Sequence, residues 1–257
     1  MERKKAFPII TLALIVANVA IFMYLVNPPS RLEEAIQQHG FRPAAVVQGQ
    51  GLHTLITSMF LHGSWMHLFG NMLALLVFGI ILERRVGSAR FALVYFLADL
   101  AASMFDLVIR RDSWLPAVGA SAAIAGIVGA CFARFATAKA PLSYLLFLIS
   151  PIIASVIILA APSLMTVYMV YFLIVIGLPV LVLVKAPRFT APLWPFVFIW
   201  IIAQVAFGVW TETAGIVGGT AYLAHISGFF TGMMLALLLI RGLGEEVKPR
   251  EEIPTIG

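Results

Sequence analysis

Apolar runs of about 20 residues recur along the chain, separated by short polar and charged connections. They fall at residues 7–26, 65–83, 89–109, 119–138, 142–161, 165–184, 192–210 and 220–240. A helix needs about 20 mostly apolar residues to cross the hydrocarbon core of a bilayer. The pattern therefore predicts an all-α polytopic membrane protein with about eight spans. The fifth and sixth runs are the least clearly separated, with only Ala161-Pro162-Ser163-Leu164 between them. The longest polar stretch, 27–64, is too short to bury a core of its own. No solenoid repeat or low-complexity segment interrupts the series.

Composition agrees with the pattern. Of 257 residues, 61% are hydrophobic and 11% charged, whereas soluble domains run near 45–50% and about 25%. A soluble fold could not hide so much apolar surface, so the lipid bilayer is the expected solvent. The net charge of +5 does not point to nucleic acid, because the basic residues lie in the connections, where they set orientation. With the N-terminus in the cytoplasm, only Arg31, Arg42, Arg110 and Arg111 fall outside, and the other Lys and Arg residues fall inside. An even number of spans then leaves both termini cytoplasmic. The basic start at Met1–Lys5 could open a secretory signal, but the run 7–26 is too long for one and no A-x-A-like site follows. It reads as an uncleaved first span. The charge bias and the lack of a targeting peptide predict a prokaryotic plasma membrane. The single Cys131 says nothing about redox compartment.

Four polar side chains from separate stretches fall at one depth on this map. His67 and Asn71 lie in the first two turns of the second span, Ser121 at the start of the fourth, and His225 about five residues into the last. At about 1.5 Å per residue, all sit within roughly 10 Å of the outer edge. Polar groups are costly in hydrocarbon and mark function there. Ser121 at a helix start is accessible, and free backbone N–H groups beside it can bind an oxyanion. His225 can act as the base that activates a serine. His67 and Asn71, four apart, share a helix face and can both donate hydrogen bonds to an oxyanion. The Gly228-x-x-x-Gly232 face permits close helix packing, and Ala122, Ala125, Gly126 and Gly129 offer small residues in return.

Each feature also has a plainer reading. Ser121 can be only an N-cap, the glycine pair only packing, and His67 with Asn71 only a bridge between helices. His62, His67 and His225 could hold zinc, but without an H-E-x-x-H helix they are a weak metal signal. Asp106 is close to the right depth to complete a Ser–His–Asp triad, but Arg110, four residues on, is its obvious partner. Asp99 falls near mid-membrane, roughly 9 Å too deep to orient His225, and has no evident partner.

The arrangement resembles the rhomboid intramembrane serine proteases. Thr57 to Met72 is similar to that family's H-x4-H-x3-N segment, carried here by His62, His67 and Asn71. Glu83-Arg84-Arg85-Val86-Gly87 resembles its E-x3-G turn, Gly119-Ala120-Ser121-Ala122 its G-x-S-x nucleophile motif, and Ala224 to Gly232 its A-H-x2-G-x3-G helix. Trp200 to Gln204 is similar to the core helix just before it. Four departures stand out. Ala122 replaces a frequent Gly, Ala125 replaces a common aromatic that packs under the histidine, and His53-Thr54 aligns with a Trp-Arg pair. Residues 142–186 look like an inserted helical hairpin.

The resemblance implies one rhomboid-like transmembrane domain over 1–257: a six-helix core plus two extra transmembrane helices. It makes 27–64 the first extracytoplasmic loop. It implies cleavage of transmembrane protein substrates by a Ser121–His225 dyad, with His67 and Asn71 stabilising the oxyanion, and with no cofactor or metal. The alternatives are a catalytically inactive rhomboid-like protein that binds transmembrane helices, a transporter using Asp99, and a metalloprotease.

Overall fold

The computed structural model describes residues 7–137, 139–142, 146, 190–213 and 222–240, which are almost entirely helical. Six of the eight predicted runs are helices: α1 (Ile9–Leu25), α5 (Trp65–Val86), α6 (Ser88–Ile109), α7 (Ser121–Phe135), α8 (Trp194–Thr213) and α9 (Tyr222–Leu239). The predicted spans 142–161 and 165–184, and so the hairpin 142–186, lie outside the described residues apart from Leu142 and Leu146.

Among the described residues, α5, α6 and α9 are long and apolar enough to cross a membrane. The helices α1 and α7, and the apolar part of α8 over Trp194–Ala206, are shorter. Six of the eight expected spans fall on described residues, and turn-forming residues trim two of the six, α1 and α7. Pro8 and Asn27-Pro28 bound α1, and α7 begins only after a turn at Gly119. At about 1.5 Å per residue, the 15 residues of α7 extend only about 22 Å, less than a hydrocarbon core of about 30 Å. Large apolar side chains stand on the outside of the helices, among them Val16, Val108, Phe198 and Met234, as lipid-facing surfaces require.

Contacts divide the chain into two compact units, one of Met1–Ala133 with Gln204–Arg241 and one of Arg134–Ala203 with Gly242–Gly257. In the first, a buried carboxylate ties three helices together. Glu83 of α5 accepts from the backbone N–H groups of Ile10 (3.0 Å) and Thr11 (2.8 Å), and from the hydroxyls of Thr11 (2.7 Å) and Ser88 (2.6 Å). It thereby satisfies orphan donors at the start of α1.

The helices α7 and α9 touch backbone to backbone. A Cβ on Gly228 would lie 2.4 Å from the Ala122 carbonyl oxygen, and one on Gly232 would lie 1.9 Å from that of Gly126. Only glycine fits there, which is the packing logic of small-xxx-small helices.

The segment 27–64 is more structured than a loop. It contains α2 (Pro29–His39), α3 (Pro43–Val47) and α4 (Thr54–Thr57). Prolines at the first turn of α2 and α3 start these helices. Phe41 and Ala117 exchange backbone hydrogen bonds of 2.9 and 2.8 Å, Ala44 donates to the Ser113 carbonyl, and Gly119 donates to that of Ser58. These bonds fasten the segment to the chain that leads into α7.

The second unit contains a short ladder that the apolar pattern did not announce. Strands β1 (Lys139–Pro141) and β2 (Thr190–Pro192) pair antiparallel, and the Trp194 N–H donates to the Ala136 carbonyl at 2.9 Å. The ladder brings together the two ends of the segment 142–189. Three residues per strand, with a proline in each, are too few to show an alternating signal.

Candidate active site

The site is built on the start of α7. Gly119 has φ +117°, a conformation that L side chains rarely adopt. A Cβ there would also meet the His67 ring at 2.6 Å. The turn at Gly119 delivers Ser121 as the first residue of α7. The N–H groups of that first turn have no intrahelical acceptor, and Asp99 lines a cavity beside Ser121 and Ala122.

His225 reaches Ser121 from α9. Its Nε2 lies 2.7 Å from the Ser121 Oγ, although the residues are 104 apart in sequence. The contact follows from the glycine packing, since Gly228 lies one turn beyond His225 and rests on Ala122. On the other side of the ring, Nδ1 lies 3.0 Å from Oε1 of Gln204 in α8. An N–H at Nδ1 donating to Gln204 leaves the Nε2 lone pair facing the serine hydroxyl, which donates to it. Both His225 and Gln204 are buried.

His67 and Asn71 stand on one face of α5, whose start is capped by Ser64 accepting from the His67 N–H at 3.2 Å. A Cβ on Gly119 would lie 2.6 Å from His67 Nε2 and 3.4 Å from Asn71 Nδ2. Both polar ends are therefore beside the turn that leads to Ser121. Asn71 Nδ2 lies 3.0 Å from His62 Nε2. Burial, with the neighbouring His67 ring acting in the same direction, pushes His62 down to about 3. Neutral His62 accepts one amide hydrogen of Asn71 and leaves the second for another acceptor. The structure thus gathers Ser121, His225, His67 and Asn71 in one place.

Three further residues belong to the neighbourhood. Gln204 was visible only as the last residue of the Trp200–Gln204 resemblance, with no role attached to it. His62 was visible as the first histidine of its motif, but its contact with Asn71 was not. Asp99 was expected near mid-membrane without a partner. It lines a cavity of about 50 Å³ with Ser103, Asp106 and Ser121. Asp106 is bonded by Arg110, whose Nε donates to Oδ1 at 2.9 Å and whose second nitrogen donates to Oδ2. His225 Nδ1 is bonded to Gln204 rather than to an aspartate. Among the described residues, no three His, Cys, Asp or Glu side chains converge in a way that would hold a metal ion.

Comparison with known proteins adds an independent line. A model of the Rhomboid domain matches residues 49–177. This range takes in His67, Asn71 and Ser121 but ends before His225, whose place in the site rests on the geometry above. "Rhomboid protease GluP" of Bacillus subtilis is 33% identical over 124 residues, 48% of this chain and 24% of that protein. "RHOMBOID-like protein 6, mitochondrial" of Arabidopsis thaliana is 37% identical over 92 residues, 36% of this chain and 29% of that protein. "Inactive RHOMBOID-like protein 8" of the same plant is 32% identical over 92 residues, 36% of this chain and 26% of that protein. The chain matches less than a third of the length of each of these relatives. Plant as well as bacterial proteins are among them, which removes the support for a prokaryotic assignment. The apolar helices and the family make this an integral membrane protein. The domain match runs over half of the chain, and by it the protein belongs to the rhomboid family.

Proposed function

We propose that this protein is an intramembrane serine endopeptidase that cleaves transmembrane segments of other membrane proteins with a Ser121–His225 dyad. The single observation that carries the reading is the 2.7 Å contact between Ser121 Oγ and His225 Nε2. In the first step, His225 Nε2 takes the Ser121 proton as Oγ attacks the scissile carbonyl carbon. The carbonyl oxygen becomes an oxyanion, which His67, Asn71 and the free N–H groups at the start of α7 are positioned to stabilise. The tetrahedral intermediate collapses to an acyl-Ser121 ester, and protonated His225 gives its proton to the leaving amine. Water then attacks the ester with His225 again as base, releasing the second product and restoring the hydroxyl.

The same reading assigns the topology. One domain over 1–257 crosses the bilayer about eight times with both termini cytoplasmic, and 142–186 is a hairpin added to a six-helix core. The pairing of β1 with β2 supports the hairpin, since a segment inserted into a core must leave and return at neighbouring points. The site then opens away from the cytoplasm, beneath 27–64.

A second reading is favoured by one relative whose name calls it inactive, and by Ala125 where the family commonly has an aromatic. It makes the protein a binder of transmembrane helices without catalysis. Cleavage of a single-span substrate in liposomes, by wild type and by Ser121→Ala, separates the two. The protease reading expects products from the wild type only, and their absence from a folded wild-type protein would favour the binder.

A further inference from the structure

We propose that Gln204 is a positioning residue that fixes the tautomer and orientation of His225, in the place that an acidic residue takes in a catalytic triad. The inference deepens the protease reading and rests on it for its catalytic meaning.

The geometry on which it stands is local. Gln204 is buried in α8, a helix otherwise made almost wholly of apolar and aromatic residues. Burying an amide is unfavourable unless its polar atoms are bonded, and a leucine or methionine would fill similar space without that cost. Gln204 directs Oε1 at His225 Nδ1 from 3.0 Å, on the ring edge away from Ser121. It touches the base and not the nucleophile, so it acts through His225.

The consequence is a choice between two neutral forms of the imidazole. With the proton on Nδ1, that nitrogen donates to Gln204 and Nε2 is free to accept from the serine hydroxyl. With the proton on Nε2, that nitrogen can only donate to Ser121 Oγ, and the base is lost. An acceptor opposite Nδ1 selects the first form. Of the two acids nearby, Asp106 is held by Arg110, and His225 Nδ1 is not bonded to Asp99. Gln204 is the group that bonds Nδ1. A neutral amide does this without placing a second charge in the buried site.

The test combines a kinetic and a spectroscopic readout on the full chain in detergent or liposomes. In Gln204→Met the volume is kept and the acceptor removed. The fluorophosphonate inactivation constant should fall on the order of 10- to 100-fold, with little change in the inhibitor's apparent binding constant. Cleavage should show the same split, in kcat rather than KM. Gln204→Glu restores an acceptor and should recover the rate to within a few-fold of wild type. A purely structural bond predicts the opposite, because a carboxyl buried there should be the worse replacement.

Nitrogen-15 spectra of the labelled histidine, assigned with His225→Ala, read the tautomer without needing activity. The wild type should carry its proton on Nδ1, and Gln204→Met should lose that preference. A wild-type His225 protonated on Nε2 overturns the proposal, as does a folded Gln204→Met with unchanged tautomer and unchanged inactivation rate. If Gln204→Met fails to fold, the wild-type spectrum and Gln204→Glu still decide. A wild type that is never labelled, yet has its proton on Nδ1 held by Gln204, would refute the protease reading and leave the positioning role standing.

Discussion

Gly228→Ala should disable the site without unfolding the protein, and the size of the effect can be worked from the packing of α9 on α7. The added Cβ would lie 2.4 Å from the Ala122 carbonyl oxygen, 3.1 Å from its carbon and 3.5 Å from its Cα. The oxygen belongs to backbone and cannot swing aside. Carbon and oxygen approach comfortably to about 3.3 Å, so the helices must separate locally by about 0.9 Å. His225 lies one turn away on α9, and Ser121 directly precedes Ala122. The same displacement would stretch the 2.7 Å contact of Nε2 with Oγ to about 3.6 Å, which is no longer a hydrogen bond. Misplacement of this size costs about 100-fold in rate. Alanine gains about 1 kcal/mol over glycine in helix propensity, which offsets part of the steric cost to stability but does nothing for geometry. The assay is fluorophosphonate labelling rate and substrate cleavage in liposomes, alongside thermal unfolding. Gly70→Ala is the control, since a Cβ there meets nothing within 4 Å and should leave the rate unchanged. Wild-type kinetics in folded Gly228→Ala would refute the claim that this backbone contact sets the dyad.

Three other outcomes are expected. Asn71→Ala should lower kcat by on the order of 10- to 1000-fold in a folded protein, the worth of one oxyanion donor, and His67→Ala should act in the same direction; wild-type rates in both would make them helix-bridging residues. Asp99 is buried and shares a cavity with Ser103, Asp106 and Ser121, so Asp99→Leu sets an apolar side chain against those polar groups and should cost about 1–3 kcal/mol in stability, while Asp99→Asn keeps an acceptor and should cost less, which thermal unfolding of the two variants compares. Cysteines placed near Arg31 and Glu212 should react with an impermeant thiol reagent added outside, and those near Lys5, Arg85 and Glu252 should not; a cytoplasmic Ala161–Leu164 loop would break the eight-span topology.

What was legible in the sequence follows from which physical signals are periodic or local. Six apolar runs became helices because hydrophobic length in a bilayer needs no knowledge of neighbours. The glycine face of α9 was readable because Gly228 and Gly232 repeat at one helical turn. The gathering of Ser121, His225, His67 and Asn71 followed from depth along spans that share a direction. The cavity that Asp99 shares with Ser121 was not visible to the same depth argument, because it is closed by side chains from several elements. The contacts of Gln204 and His62 were out of reach of pattern reading. Each joins side chains from different elements, and neither has a spacing that marks it. The β1–β2 ladder was equally silent, since three residues per strand are too few to alternate.

The measurement that tests the central claim most directly is mass-spectrometric mapping of a fluorophosphonate adduct on the liposome-reconstituted protein. Covalent capture reports a nucleophilic serine whatever the natural substrate is. The adduct should sit on Ser121, vanish in Ser121→Ala, fall steeply in His225→Ala and persist in EDTA. No adduct on the folded wild type, or undiminished labelling in His225→Ala, would contradict the dyad.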